Sequence, residues 1–147
     1  MRIMKKIFIL AGVFVLFSLP GFSQSKKFQD IIGRWTVIGE QGPEVRLEII
    51  DSADIMLTYM GEEKKMLNYK IDFSKSPAWF DFSVKDTSSS MVNVKSIIEI
   101  INDGLIKWQL FVDENRPDHF SSGKGELFYL KREKLNTNLN TVSLSRE

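Results

Sequence analysis

The chain has 147 residues, with 20 basic and 19 acidic side chains, one histidine and no cysteine. The lack of cysteine excludes a disulfide framework, a thiol nucleophile and a thiolate metal site. Because the charges nearly balance, no basic stripe is present to contact phosphates, and we expect no nucleic-acid binding.

The first 23 residues have the features of a secretory signal peptide. Positive charge comes first, then a mainly apolar region of thirteen residues at 7–19, then a Pro-Gly-Phe-Ser stretch that ends at Ser23. The apolar run is shorter than the roughly 20 residues that span a bilayer. We predict cleavage after Ser23 and no membrane span afterwards. Since no lipobox cysteine is present, we expect a periplasmic or extracellular protein.

The segment after the signal peptide is rich in short alternating stretches separated by turn residues. A single helical turn at 28–32, predicted as a plug or lid, comes first. Alternation of apolar and polar residues then predicts eight strands, at 32–38, 44–50, 55–60, 64–73, 78–84, 91–101, 105–113 and 126–132. This spacing favours an all-β domain over residues 24–133, an eight-stranded antiparallel up-and-down barrel, followed by a polar tail at 134–147.

Trp35 begins the first strand just after Gly33, and its size makes it the expected anchor of the barrel. An eight-stranded barrel has room either for its own side chains or for one small ligand. The candidates for its interior are large and mostly aromatic: Trp35, Leu47, Ile49, Leu57, Tyr59, Tyr69, Phe80, Phe82, Trp108 and Tyr129. If all point inward, the barrel is largely filled.

The alternative to a filled barrel is a pocket in which Tyr59 and Tyr69 bring hydroxyl groups into an apolar cup. A few polar groups among aromatic side chains are typical of small-molecule sites. The predicted ligand-binding residues are therefore Tyr59, Tyr69, Phe80, Phe82 and Trp108.

Four short motifs carry a resemblance to a known family. They are Gly33-Arg34-Trp35, the segment from Asp72 to Asp81 with Ser74-Lys75-Ser76-Pro77 inside it, Arg116-Pro117-Asp118-His119-Phe120, and Leu130-Lys131-Arg132. In this order the chain resembles the lipocalin (calycin) superfamily, and more closely an uncharacterised lipocalin-like domain family first catalogued in planctomycetes. The resemblance implies a barrel closed at one end by Arg132 lying over Trp35, a cation–π contact worth about 1 to 2 kcal/mol when desolvated.

The longest loop carries Arg116, Pro117, His119 and Phe120. His119 beside Asp118 is the one arrangement that suggests a general base, but adjacent loop residues seldom point into one site and no serine nucleophile accompanies them. We therefore predict that the protein is not an enzyme. Arg116 is expected to cap carbonyl groups or to pair with an acidic side chain such as Asp81.

No acidic motif has the spacing of a calcium loop, so we predict neither a metal site nor a cofactor. The acidic residues considered are interpreted as solvated turn residues: Asp51, Asp54, Asp81, Asp86, Asp113, Glu114 and Asp118.

Two functions follow from these patterns. The first is a secreted or periplasmic lipocalin-like protein that binds a small hydrophobic molecule in its barrel. The second is a filled barrel that acts as a protein-interaction or inhibitor module. This module would use the Arg116 loop and Trp79, which the alternation predicts to be an exposed aromatic for a protein or glycan contact.

Overall fold

The computed structural model describes residues 27–39, 42–112 and 114–134. The predicted signal peptide and all but the first residue of the predicted tail lie outside the described residues. A 3-10 helix at Phe28–Ile31 precedes nine strands: β1 Gly33–Val37, β2 Val45–Ile49, β3 Ile55–Tyr59, β4 Glu62–Lys65, β5 Leu67–Asp72, β6 Ala78–Lys85, β7 Met91–Asn102, β8 Leu105–Val112 and β9 Glu126–Arg132.

The nine strands form one antiparallel sheet in the order β4-β3-β2-β1-β9-β8-β7-β6-β5. Neighbours in the sheet are also neighbours in the sequence, except where β1 pairs with β9 and joins the two ends of the domain. The sheet curls into a nearly closed up-and-down barrel. The predicted fold class and the N-terminal helical turn are confirmed.

The single strand predicted at 64–73 is wrong, because the chain turns a corner at Met66. β4 ends at Lys65 and pairs with β3, whereas β5 begins at Leu67 and pairs with β6. The Met66 side chain is buried and its amide donates to the carbonyl of Ile55. Just beyond it, Asn68 has a positive φ of 48° where the register with β6 shifts. One bent segment therefore supplies both edges of the sheet and brings them together.

Side-chain alternation places the core where the sequence predicts it. Along β2, Val45, Leu47 and Ile49 are buried and the charged residues between them face outward. The prediction for Tyr129 is wrong, since this side chain is 44% exposed. The register pairs Phe128 with Trp108, so Phe128 and Leu130 point inward and Tyr129 points outward beside Lys107.

Arg132 closes the barrel at the end where β1 begins. Its guanidinium carbon lies 4.2 Å from the centre of the Trp35 ring. The same guanidinium donates to the carbonyls of Asp103 at 2.7 Å, Asp30 at 2.8 Å and Ile32. A Cβ on Gly33, whose φ is +136°, would lie 2.8 Å from Arg132 Nη1. The glycine therefore leaves the space that the arginine occupies.

The 3-10 helix covers this closed end. Ile31 is fully buried, and its carbonyl accepts a hydrogen bond from the indole nitrogen of Trp35 at 2.8 Å. Phe28 stacks on Tyr69 with ring centres 6.5 Å apart. This end of the barrel is therefore sealed by packed rings and satisfied polar atoms.

The closure is the first feature to test by mutation. We expect Trp35→Ala to lower the free energy of unfolding by about 3 to 5 kcal/mol, as for other large buried aromatic side chains. Arg132→Ala should cost less, about 2 kcal/mol, because it removes a cation–π contact and charged hydrogen bonds but little apolar burial. Urea denaturation followed by tryptophan fluorescence measures both values.

Tyr129→Ala is the matched control, because it removes an exposed aromatic side chain from the same strand as Arg132. It should cost less than about 1 kcal/mol. A Trp35→Ala variant no less stable than Tyr129→Ala would contradict the assignment of Trp35 as the anchor.

Candidate functional site

A pocket of about 450 Å³ opens at the opposite end of the barrel, away from Trp35 and Arg132. Its apolar walls come from four strands, β3, β6, β7 and β8. The apolar wall residues are Leu57, Phe82, Val84, Val92, Val94, Leu110 and Val112. The polar residues of the lining lie in loops or near strand ends at the mouth of the pocket: Tyr59, Lys64, Asp86, Glu114 and Glu126.

The floor of the pocket is an aromatic cluster that fills the rest of the barrel. Phe82 lies with its ring centre 5.5 Å from Phe80 and 6.0 Å from Trp108. The Trp108 indole donates to the Ser96 hydroxyl at 2.9 Å, and that hydroxyl donates to the carbonyl of Phe80. These buried polar atoms are satisfied within the protein, so none of them is left to bind a guest. The barrel is thus filled in one half and hollow in the other.

The predicted ligand-binding residues divide between these two halves. Tyr59 and Phe82 line the pocket, whereas Tyr69, Phe80 and Trp108 lie in the filled half. Tyr69 belongs to the closed end, where its hydroxyl donates to the carbonyl of Ser52. The prediction that Tyr59 and Tyr69 share one cup is therefore corrected. Alternation indicates which side of the sheet a residue faces but not how far along the barrel it lies.

Tyr59 is the polar wall residue with the most clearly defined partner. Its hydroxyl donates to Glu126 Oε2 at 2.7 Å. This hydrogen bond, together with partial burial and the nearby negative charge, raises the pKa of Tyr59 to about 12. The phenol therefore remains a neutral donor at neutral pH, and Glu126 remains its acceptor.

Three carboxylates face the mouth of the pocket, and the sequence analysis did not place any of them there. Hydrogen bonds from Ser88 and Ser90 lower the pKa of Asp86. Glu114 and Glu126 are both exposed. Among the described residues Lys64 is the one cation of the lining, and its ammonium is 2.9 Å from the Glu62 carboxylate. Their positions along the strands could have indicated this placement of the carboxylates. Asp86 follows β6 and Glu126 begins β9, at the same end of the barrel as Tyr59 at the end of β3.

The Arg116 loop is fastened to the outer surface of the barrel. Arg116 pairs with Asp81, one of the two alternatives from the sequence, and its guanidinium carbon lies 3.8 Å from the centre of the Trp79 ring. Lys75 approaches the same ring at 4.9 Å. Trp79 is consequently half-buried, and the prediction of a freely exposed aromatic is wrong.

Gln109 holds the second half of this loop, a role the sequence analysis missed. Its amide nitrogen donates to the carbonyls of Ser121 at 2.6 Å and Lys124 at 2.5 Å, and its oxygen accepts from the Ser121 amide at 3.0 Å. A Cβ on Gly125 would lie 2.2 Å from the Leu110 carbonyl oxygen. The loop therefore returns closely across β8, and it covers Phe111 on the outer face.

The remaining residues of the predicted loop site do not form a constellation for catalysis. Within the described part of the chain, His119 is exposed and has no hydrogen bond or ion pair, so Asp118 does not orient it. Pro117 is half-buried, and Phe120 lies beneath the Lys107 ammonium at 4.2 Å.

Among the described residues, no three acidic or histidine side chains are grouped as metal ligands would be. A membrane-spanning helix is not found there either.

Comparison of the chain with protein-family models, with curated proteins and with solved structures finds no match.

The Tyr59–Glu126 hydrogen bond can be tested by titration. The difference in absorbance at 295 nm between the wild type and Tyr59→Phe isolates the ionisation of this phenol. Its midpoint should lie at about pH 12. Because the folded pKa is raised, the stabilisation is fully present below the ordinary tyrosine value of about 10 and is lost as the pH rises toward 12.

Glu126→Ala supplies the matched test of the cause. It removes both the hydrogen-bond acceptor and the negative charge, so the Tyr59 midpoint should fall toward about 10. A wild-type midpoint already near 10 would show that the hydrogen bond does not persist in solution.

Proposed function

We propose that this chain is a secreted or periplasmic, lipocalin-like binding protein that holds a small, mostly apolar molecule in the hollow half of its barrel. The observation that carries the proposal is the pocket of about 450 Å³, with apolar walls and polar groups near its mouth. Sites for small molecules commonly have 300 to 1,000 Å³ and a few polar groups among apolar side chains, and this pocket fits both features.

Burial of apolar surface would drive the binding. Each methylene transferred from water contributes about 0.8 kcal/mol, so a chain of eight to ten carbons contributes about 6 to 8 kcal/mol before the costs of association. The filled half of the barrel supplies a rigid floor at Phe82, and the depth available to a guest is limited by that side chain. The proposal therefore concerns a compact or short-chain molecule.

The closed end supports the lipocalin-like part of the proposal. The resemblance at Gly33, Trp35 and Arg132 implies a cation lying over the tryptophan, and the 4.2 Å contact has that arrangement. Nothing in the pocket requires catalysis, and we propose binding without turnover. The proposed secretion depends on residues 1–23, which lie outside the described part of the chain.

The interaction-module alternative has less support. Its two expected contact elements are Trp79 and the Arg116 loop, and both are engaged by the barrel itself through Asp81 and Gln109. A partner would have to bind this loop in its fixed conformation.

The neutral fluorescent probe N-phenyl-1-naphthylamine tests the pocket directly. We expect the mature protein to bind it with enhanced emission. Val112→Glu places a carboxylate at the half-exposed edge of the apolar wall. It should weaken the probe at least about tenfold, because the bound probe would cover this charge and take it out of water. Fluorescence titration measures both affinities.

Ile101→Glu is the control, because Ile101 and Val112 are almost equally exposed, at 47% and 48%. Ile101 differs in lying toward the closed end of the barrel. It should bind the probe as the wild type does. Equal weakening by both variants, or by neither, would contradict binding in the pocket.

A further inference from the structure

We propose that the natural guest is an amphiphile with a cationic head, such as an alkyl amine, whose apolar part enters the pocket while its head remains at the carboxylate-lined mouth. This inference rests on the proposed function and adds the chemical class of the ligand.

The first support is the charge at the mouth. Asp86, Glu114 and Glu126 all line the pocket, against Lys64 as the only cation of its lining within the described residues. The Asp86 carboxylate is held in place by the amides of Ser88 and Ser90, each at 2.8 Å. A cation at this mouth would meet an excess of negative charge from exposed or half-buried carboxylates, an attraction that salt screens.

The second support is the state of Lys64. Its ammonium lies 2.9 Å from the Glu62 carboxylate. An anionic head would therefore have to compete with Glu62 for this lysine. The carboxylates that line the pocket would also repel it, so a fatty-acid type of ligand is disfavoured.

The third support is the separation of polar and apolar surface along the pocket. Phe82 forms a floor with no hydrogen-bonding group, and the walls above it are aliphatic. The Tyr59 hydroxyl already donates a hydrogen bond to Glu126, so this donor is occupied near the mouth. A guest that matches this pocket has a charged end at the mouth and an apolar end below it.

Three probes with the same ten-carbon chain separate the head from the tail: decylamine, decanol and decanoate. Each is used at pH 7.5 and low salt to displace N-phenyl-1-naphthylamine from the mature protein. We expect decylamine to bind best, decanol next and decanoate worst, with at least about a tenfold difference between the two charged probes. This preference should shrink in 0.5 M sodium chloride.

Two variants test whether the carboxylates at the mouth cause the preference for decylamine. In the double variant Glu114→Gln and Glu126→Gln, decylamine should bind no more than about threefold tighter than decanol. Glu99→Gln removes one negative charge from the outer face of β7, remote from the pocket, and should leave the preference unchanged. Near- and far-ultraviolet circular dichroism verifies that each variant is folded.

The outcomes distinguish the two proposals. If none of the three compounds displaces the probe and the probe itself does not bind, the proposed function fails together with this inference. If decanoate or decanol binds as tightly as decylamine, the pocket binds guests but the cationic preference is overturned. Persistence of the full preference in the double variant would also overturn it.

Discussion

The contact between the Arg132 guanidinium and the Trp35 ring is the interaction on which the rest of the barrel depends. It joins the first and last strands, which are the two parts of the domain most distant in sequence. The same group satisfies three carbonyls from the entry to β1 and the turn before β8. With one end sealed in this way, any opening to the interior lies at the other end.

The aromatic cluster then decides how much of the interior is available. Phe80, Phe82 and Trp108 pack across the middle of the barrel, and Ser96 satisfies the Trp108 indole without water. Above this level the inward-facing residues are mostly valine and leucine, which leave space between them. Large side chains toward the closed end and small ones toward the open end turn one continuous barrel into a core and a pocket.

The sequence predicts most of the fold because hydrophobic alternation and turn residues are local signals. It misses the corner at Met66, since a bend in the middle of a strand produces no turn motif. It also misses the cover over β8, where Gln109 and Phe111 on the outer face are buried by the returning loop. Such burial depends on where a distant segment folds back.

The site was harder to predict than the fold, for a geometric reason. Alternation assigns Tyr59 and Tyr69 to the interior, but only the strand register shows that they lie at opposite ends. The acidic mouth combines Asp86, which follows β6, with Glu114 and Glu126, which lie at the two ends of the loop between β8 and β9. They line one pocket because up-and-down strands bring alternate loops to the same end. No short sequence motif predicts this acidic mouth.

We propose that the hollow half of the barrel carries a guest in the cells that make the protein. Native mass spectrometry of the protein, purified from those cells without detergent, would detect such a guest. We predict a reproducible additional mass that is released on denaturation and identified as a small amphiphile. A bare protein mass, both as isolated and after incubation with a lipid extract of the same cells, would contradict the claim.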